Sequence, residues 1–194
     1  PPPSLSRDLS AEGPLLLCVA TLTPRKGHHL LFAALADLQD RPWRLDCVGS
    51  TDRDPATTAA LRQQLAALDL TARVRFVGEL DEPTLAAAYA GADVFVLASY
   101  YEGYCMACAE ALVHGLPIVT TTGGALAETV PGSAGLRVAP GDVGALCSAL
   151  AQVLDDATLR GQLAAGAAAA GRVLPDWPAS GRAFAEIIEE ALRA

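Results

Sequence analysis

The sequence predicts an α/β protein with a Rossmann-like, doubly wound parallel sheet of about six strands and helices on both faces. Short apolar runs alternate with longer segments of helical periodicity along most of the 194 residues. The apolar runs are nearly continuous, which is typical of strands that are buried on both faces of a parallel sheet. Right-handed crossovers between such strands leave a doubly wound sheet as the simplest topology.

The predicted strands are short segments rich in valine, leucine and isoleucine. They cover residues 15–20, 43–48, 74–78, 94–98, 117–121 and 135–139. The segments between and after them have helical periodicity. The predicted helices cover residues 27–38, 55–68, 82–90, 104–114, 125–130, 143–154, 157–171 and 178–192. Residues 1–13 are proline-rich and aperiodic, which predicts a connector followed by one domain over residues 14–194.

The composition excludes several classes of protein. Apolar residues make up 52% of the chain and charged residues 19%, as in globular and not in disordered proteins. The net charge of −8 opposes nucleic-acid binding, because the phosphate backbone requires a basic face. No apolar run is long enough for a transmembrane segment, and no leader opens the chain. Five cysteines, two of them inside predicted strands, favour a reducing cytoplasm.

The loop after the first predicted strand is a candidate anion site. In an open doubly wound sheet, ligands bind at the carboxyl ends of the strands. Arg25, Lys26 and Gly27 stand where a helix should begin, and Lys26 is the only lysine among 14 lysine and arginine residues. Free N–H groups at a helix start favour an anion, and two added cations would suit a diphosphate. A solvated basic loop is the alternative interpretation.

The loop after the second predicted strand contains two closely spaced acids, Asp52 and Asp54. Two carboxylates could hold a divalent metal ion through their oxygens. An aspartate immediately before Pro55 is also the usual N-cap of a helix. We favour the capping interpretation.

The loop after the fourth predicted strand reads EGYCMACAE over residues 102–110. Gly103 would let the backbone approach a ligand, and the N–H groups of residues 104–106 would open a helix as a second anion site. Glu102 and Glu110 would lie on the order of 12 Å apart along that helix, too far for a proton-sharing pair. Carboxylates accept hydrogen bonds from vicinal hydroxyls, so the two acids could hold the two ends of one extended ligand.

Cys105 and Cys108 in the same stretch allow a different interpretation, because a CxxC pair at a helix start is the arrangement of thiol oxidoreductases. The chain has too many predicted elements for that fold, no second CxxC and no Cys/His grouping for zinc. We therefore favour packing and backbone roles for both cysteines. A nicotinamide-dependent oxidoreductase is disfavoured because the first turn, VATLTPRKG, lacks the required glycine pattern.

Together these segments resemble a known family. The segments are LTPRKGHHLLFAALADL, VRFVGELDEPTLAAAYAGADVFVLASYYEGYCMACAEALVHGLPIVTTTGGALAE, GLRVAPGDVGAL and DWPASGRAFAEIIEEAL. In this order, over residues 14–193, they resemble the C-terminal domain of retaining GT-B glycosyltransferases, specifically glycosyltransferase family 4. The most specific element is the pair of glutamates separated by seven residues, followed by EALVHGLPIV and GG.

The resemblance implies a donor-binding domain whose N-terminal acceptor-binding partner domain is absent from the chain. It implies catalytic roles for Glu102, which would hold hydroxyls of the transferred sugar, and for Lys26 and Arg25, which would neutralise the diphosphate. Glu110 would bind the ribose hydroxyls. The donor-binding residues that it implies are Thr21, Gly103, Tyr104, Cys105, Met106, Glu110, Val77, Glu79 and Leu80, with 77–80 bordering the nucleobase.

Two positions depart from the family pattern. Ala20, Thr21 and Leu22 stand where the family usually has Gly-Arg-Leu, so Arg25 would have to replace the missing arginine. Cys105 stands where the family usually has glycine, at the turn that contacts phosphate.

The resemblance implies transfer of a hexose with retained anomeric configuration from a UDP- or GDP-linked sugar, with no metal and no cofactor. The acceptor, whether sugar, lipid or small molecule, would bind to the missing domain, and any peripheral membrane contact would also belong to that domain. The domain alone would bind nucleotide and transfer little sugar, and the apolar face of its last helix would be partly exposed. A non-catalytic nucleotide-binding or regulatory module with the same fold is the alternative.

Overall fold

The computed structural model describes residues 13–175 and 177–193, so the predicted connector lies outside the described residues except for Gly13. The strands form one six-stranded sheet in the order β3-β2-β1-β4-β5-β6. Their bounds are Leu15–Val19 (β1), Arg44–Val48 (β2), Val74–Gly78 (β3), Val94–Leu97 (β4), Ile118–Thr121 (β5) and Gly135–Val138 (β6). All neighbouring strands are parallel. The predicted Rossmann-like sheet is confirmed.

Helices follow the strands in alternation until the sheet is complete. Their bounds are His28–Ala36 (α1), Pro55–Ala67 (α2), Glu82–Gly91 (α3), Met106–Val113 (α4), Leu126–Thr129 (α5), Val143–Asp155 (α6), Ala157–Gly171 (α7) and Trp177–Arg193 (α8). Every predicted helix is present, although several ends differ by one or two residues from the prediction. The two-residue differences lie at the end of α1 and the start of α4.

The start of α1 differs from the prediction for a local reason. Pro24–Lys26 form a separate 3-10 turn, and Gly27 adopts the left-handed conformation, with φ 69°, between that turn and the helix. A side chain at Gly27 would also collide with the β4 end, because its Cβ would lie 2.0 Å from the carbonyl oxygen of Ala98. Arg25 and Lys26 therefore lie in a tight turn before the helix and not in its first turn.

The strand order places a topological switch between β1 and β4. The chain builds outward from β1 through β2 to β3, then crosses back to β4 on the other side of β1. Connections on the two sides of β1 run to opposite faces of the sheet, which leaves a crevice at the carboxyl ends of β1 and β4. The fold thus puts the loops after these two strands side by side.

The core lies on both faces of the sheet. The central strand residues Leu16, Leu17, Val94 and Phe95 are almost fully buried, as the continuous apolar runs predict. Trp43 is buried just before β2, and its indole Nε1 donates a hydrogen bond to the carbonyl of Leu38 at 2.8 Å.

Helix α8 presents an unpartnered apolar face. Phe184, Ile187, Ile188 and Leu192 recur at helical spacing and are 44–82% exposed. The predicted exposure of this face is confirmed. Within the described part of the chain, no helix combines the length and apolar character that crossing a bilayer requires.

Candidate functional site

A cleft of about 490 Å³ lies at the carboxyl ends of the central strands, at the topological switch; we call it the switch-point cleft. It is formed by the loops after β1, β2, β3 and β4 together with the start of α4. The lining residues are Val19, Ala20, Thr21, Lys26, Val48, Gly49, Ser50, Glu79, Glu102, Tyr104, Cys105, Met106 and Ala107. Seven predicted site residues therefore line one cleft, namely Thr21, Lys26, Glu79, Glu102, Tyr104, Cys105 and Met106.

An ion pair between Lys26 and Glu102 dominates the electrostatics of this cleft. Lys26 Nζ lies 2.7 Å from Glu102 Oε1, and Arg25 Nη1 lies 3.5 Å from Glu102 Oε2. The hydroxyl of Ser99 donates to Glu102 Oε1 at 2.6 Å. Although Glu102 is only 6% exposed, its carboxylate is thus held by one hydroxyl and two cations.

The surroundings of Glu102 favour its charged form. Burial raises the pKa of Glu102, but the hydrogen bonds from Lys26 and Ser99 and the positive charges of Lys26 and Arg25 outweigh it. The net result is a pKa below the ordinary value of 4.5. Glu102 is therefore a carboxylate at neutral pH and can accept hydrogen bonds.

The carbonyl of Arg25 joins the loops after β1 and β4. It accepts the N–H of Tyr100 at 2.9 Å and lies 3.1 Å from the hydroxyl of Ser99. The guanidinium of Arg25 donates to the carbonyl of Tyr101 and remains 53% exposed. Arg25 thus lies beside Glu102 at the edge of the cleft, with its charge still accessible to solvent.

A glycine pair after β5 supports Glu102 from the other side. The N–H of Glu102 donates to the carbonyl of Gly123 at 3.2 Å, and the carbonyl of Glu102 accepts the N–H of Ala125 at 2.9 Å. A Cβ at Gly124 would lie 2.2 Å from the carbonyl oxygen of Glu102, so no side chain fits there. Gly123 and Gly124 stand in the family resemblance without a predicted role. Ser99 was not predicted as a site residue, and its only signal in the sequence is its position directly after the predicted strand 94–98.

Helix α4 begins with an unusual N-cap. Cys105 adopts the left-handed conformation, with φ 69° and ψ 73°, and its Sγ accepts the N–H of Cys108 at 3.3 Å. For a side chain larger than glycine this conformation costs about 1–2 kcal/mol. At Gly103, by contrast, a Cβ would meet nothing within 4 Å. The strained residue in this turn is therefore Cys105, while Gly103 faces open space.

Glu110 lies in a neighbouring cleft of about 570 Å³, which we call the α4 cleft. Its lining residues are Tyr104, Met106, Ala109, Glu110, Val113, His114, Leu174, Pro175 and Ser180. Tyr104 and Met106 line both clefts, so the two cavities adjoin along the start of α4. The pKa of Tyr89 is raised by burial and then by the negative charge of Glu110, while the Tyr89 hydroxyl donates to the carbonyl of Ala107 at 3.2 Å.

The segment after β3 is only partly in the cleft. Glu79 lines the switch-point cleft, whereas Val77 and Leu80 are partly buried and pack against the hydrophobic core. The contact of these two residues with a nucleobase stays a prediction.

The acids after β2 have the predicted structural role. Asp54 is the N-cap of α2 and accepts the N–H of Thr57 at 2.9 Å and the hydroxyl of Thr57 at 2.7 Å. These hydrogen bonds, first that from the backbone, lower the pKa of Asp54. The capping interpretation is confirmed. Within residues 13–175 and 177–193, no three His, Cys, Asp or Glu side chains come together as a metal site would require.

Comparison with known proteins identifies the family of this fold. The family model of the glycosyl transferases group 1 matches residues 13–156. The GDP-mannose-dependent monoacylated alpha-(1-6)-phosphatidylinositol monomannoside mannosyltransferase of Corynebacterium glutamicum is 30% identical over 172 residues. That alignment covers 84% of this chain and 43% of the relative, so the chain spans less than half of the relative's length.

Solved structures of glycosyltransferases share the fold. Sucrose-phosphate synthase from Thermosynechococcus elongatus superimposes with a TM-score of 0.84 and 31% identity, covering 95% of this chain and 47% of that one. Anabaena HepE in complex with UDP-glucose superimposes with a TM-score of 0.83 and 26% identity, covering 93% of this chain and 50% of that one. The chain belongs to the group 1 glycosyl transferases and forms a half domain of the GT-B type.

Proposed function

We propose that this chain is the donor-binding half of a retaining, metal-independent glycosyltransferase that transfers a hexose from a nucleotide diphosphate sugar. The observation that carries the proposal is the Lys26–Glu102 ion pair of 2.7 Å, which lines a cleft at the topological switch. In this proposal Lys26 binds the diphosphate, and Glu102, its ion-pair partner, binds sugar hydroxyls. Arg25 adds a second, solvent-accessible cation at the same edge.

Lys26 can serve Glu102 and a diphosphate at the same time. An ammonium group has three N–H donors, and the described contact with Glu102 uses one of them. The carboxylate of Glu102 likewise has acceptor sites beyond those that Lys26 and Ser99 occupy. Sugar hydroxyls could therefore donate to Glu102 while the phosphate oxygens accept from Lys26.

The proposed reaction breaks the bond between the anomeric carbon and the diphosphate oxygen. An acceptor hydroxyl attacks the same face of the sugar, and its proton passes to the departing diphosphate, so the configuration is retained. The negative charge that develops on the leaving group is stabilised by Lys26 and Arg25, which act by position and electrostatics. No step in this scheme needs a metal ion.

The relatives support two candidate donor nucleotides, GDP and UDP. The Corynebacterium glutamicum relative is GDP-mannose-dependent by name, whereas the Anabaena HepE structure contains UDP-glucose. Glu110, in the adjoining α4 cleft, is the proposed partner of the ribose hydroxyls. An acceptor-binding half would complete the enzyme, and a cytoplasmic location is part of the proposal.

A non-catalytic module is the second candidate, and one observation favours it. The carboxylate of Glu102 is already held by Lys26, Arg25 and Ser99, so the ion cluster is satisfied without a ligand. Thr21 also lines the cleft. It is uncharged, whereas the family pattern has an arginine at this position. Such a module would bind nucleotide weakly or not at all.

Calorimetric titration with UDP, GDP, UDP-glucose and GDP-mannose in EDTA tests the proposal. We expect binding of one nucleotide and its sugar conjugate. Loss of a charge-assisted hydrogen bond in Lys26→Ala should weaken it by about 10- to 100-fold, and Glu110→Ala should also weaken it. Arg193→Ala is the matched control, because Arg193 pairs with Glu189 on exposed α8 and its removal also deletes one positive charge. Absence of binding to all four ligands would contradict the proposal and favour the module.

A further inference from the structure

The cysteine pair at the start of α4 is left unexplained by donor binding. Cys105 lines the switch-point cleft and is 7% exposed, whereas Cys108 is fully buried one turn behind it. Both are free thiols. Cys105 therefore borders the cleft, while both cysteines belong to the buried core beneath it.

The two cysteines are joined by a backbone contact at the start of α4. The N–H of Cys108 donates to Cys105 Sγ over 3.3 Å, so this sulfur lies at the positive end of α4 and next to the backbone of Cys108. The pKa of Cys108 is raised, first by its side-chain interaction with Cys105 and then by burial. The geometry therefore places Cys105 Sγ, at the CxxC spacing from Cys108, at the first turn of the helix.

We propose that Cys105 and Cys108 form a reversible disulfide that switches the switch-point cleft between a nucleotide-binding dithiol state and a weakly binding disulfide state. The inference rests on the proposed function for the effect on binding, but the disulfide itself does not depend on that function. A low-molecular-weight disulfide such as glutathione disulfide is the oxidant.

The exchange proceeds in two steps. The thiolate of Cys105, the cysteine that borders the cleft, attacks glutathione disulfide, forms a mixed disulfide and releases one glutathione thiolate. Cys108 then loses its proton and attacks Cys105 Sγ, which forms the intramolecular disulfide and releases the second glutathione. Two protein thiols are oxidised, and one glutathione disulfide is reduced to two glutathione thiols. Excess glutathione reverses both steps.

Disulfide formation must change the cleft because of the position of Cys105. The two sulfurs must approach to about 2.0 Å, with a restricted torsion. Cys105 already has a strained left-handed backbone, and its neighbours Tyr104 and Met106 also line the cleft. The sulfur would also no longer accept the Cys108 N–H as a free thiolate could. A backbone shift on the order of 1 Å at a ligand-positioning turn can cost up to 100-fold in function.

A second cysteine pair provides an internal comparison. Cys18 and Cys47 face each other on β1 and β2 and are almost fully buried. Neither lines the switch-point cleft. Oxidation of that pair would join two separate tryptic peptides, whereas Cys105 and Cys108 lie together in the tryptic peptide 76–137. Mass mapping therefore separates the two pairs.

The experiment equilibrates the chain with glutathione and glutathione disulfide at ratios from fully reducing to oxidising. Tryptic mapping follows the loss of two hydrogen atoms from peptide 76–137, and calorimetry measures nucleotide affinity in each sample. We expect the disulfide to form reversibly and the affinity to fall by about 10- to 100-fold with it. Cys108→Ala should bind nucleotide as the reduced wild type does and should lose the response to oxidant. Cys147→Ala, which removes a half-buried thiol on α6, should keep the response.

The outcomes separate this inference from the proposed function. If the reduced chain binds no nucleotide, the proposed function fails, and with it the switching of binding. If peptide 76–137 keeps both hydrogens at every ratio, there is no disulfide and the inference is wrong. A disulfide that forms without any change in nucleotide affinity would equally overturn the switch. Because the mass measurement uses the wild-type chain, it does not depend on any variant folding.

Discussion

Lys26 Nζ and Glu102 Oε1 lie 2.7 Å apart although 76 residues separate them in the chain. The side chain of Lys26 is 18% exposed and that of Glu102 7%, so the pair is mostly shielded from solvent. It joins the loops after β1 and β4 across the topological switch. Removing one partner would leave a shielded charge without compensation, which is more costly than loss of an exposed pair.

Ser99→Ala should weaken both the fold and the site. The Ser99 hydroxyl is fully buried and donates to Glu102 Oε1 at 2.6 Å, so its loss leaves a buried carboxylate with one fewer donor. We expect a fall of about 1–3 kcal/mol in the free energy of unfolding, measured by urea denaturation. Nucleotide affinity should fall in the same variant.

Ser148→Ala is the matched control for this prediction. The Ser148 hydroxyl is exposed on α6 and donates to the carbonyl of Gly144 at 3.0 Å. Its removal should change the free energy of unfolding by less than about 0.5 kcal/mol. Equal changes in the free energy of unfolding for the two substitutions would show that the Ser99–Glu102 hydrogen bond stabilises the fold no more than an exposed one.

Stability should decrease in acid, in part through Glu102. The folded-state pKa of Glu102 lies below its ordinary value of 4.5, because the hydrogen bonds and charges of Lys26, Ser99 and Arg25 outweigh burial. The unfolded chain therefore takes up the proton first as the pH falls. The contribution of Glu102 is present above its unfolded-state pKa and is lost as the pH falls through the folded-state pKa.

Urea denaturation at a series of pH values between about 5 and 3 measures this effect. Glu102→Gln should be less stable than wild type at neutral pH and should lose less stability on acidification. Ser148→Ala, which changes no titratable group, should follow the wild-type curve. Parallel pH curves for wild type and Glu102→Gln would refute the prediction.

Gly27→Ala should destabilise the turn that carries Lys26. Gly27 has φ 69°, and a Cβ there would lie 2.0 Å from the Ala98 carbonyl oxygen, so the β1 and β4 loops would have to separate. We expect a loss of more than about 2 kcal/mol in the free energy of unfolding. Nucleotide affinity should fall as Lys26 is displaced from Glu102.

Gly161→Ala is the matched control, since Gly161 lies within α7 and a Cβ there would meet nothing within 4 Å. Alanine should stabilise this helix by about 0.5–1 kcal/mol. The two substitutions should therefore have opposite signs in the same denaturation assay. A neutral Gly27→Ala would mean that the close contact with Ala98 is relieved without cost.

Asp54→Ala should lower the melting temperature, whereas Asp52→Ala should not. Asp54 caps α2 through two hydrogen bonds with Thr57, while the hydrogen bonds of Asp52 within the described residues are to Thr51 and Ser50 in the surface loop. We expect a decrease of about 2–4 °C for Asp54→Ala by calorimetry. Nucleotide affinity in EDTA should be unchanged in both variants. The metal interpretation would be revived if added Mg²⁺ strengthened nucleotide binding by the wild type, in buffer without EDTA, and did so in neither variant.

Much of the fold could be predicted because local patterns specify it. The continuous apolar run of β4 indicated a buried strand, and the Asp54-Pro55 step marked the start of α2. Turn chemistry also located the loops after β1 and β4, and the topology of a parallel sheet brings such loops to one edge. The predicted start of α1 was one residue early, because Gly27 lies before the helix in a left-handed conformation and close to the end of β4.

The site itself was predicted less completely. Periodicity and turn residues are local properties, so they were enough to predict which side chains follow the central strands. Three features of the site depend on contacts between distant parts of the chain: Ser99 and Lys26 share Glu102, Glu110 lies in the α4 cleft, and Cys105 takes the left-handed cap. These facts depend on how the crossover connections set one loop against another at distances of a few ångströms. Hydrogen bonds and ion pairs depend steeply on such distances, and no local sequence pattern specifies them.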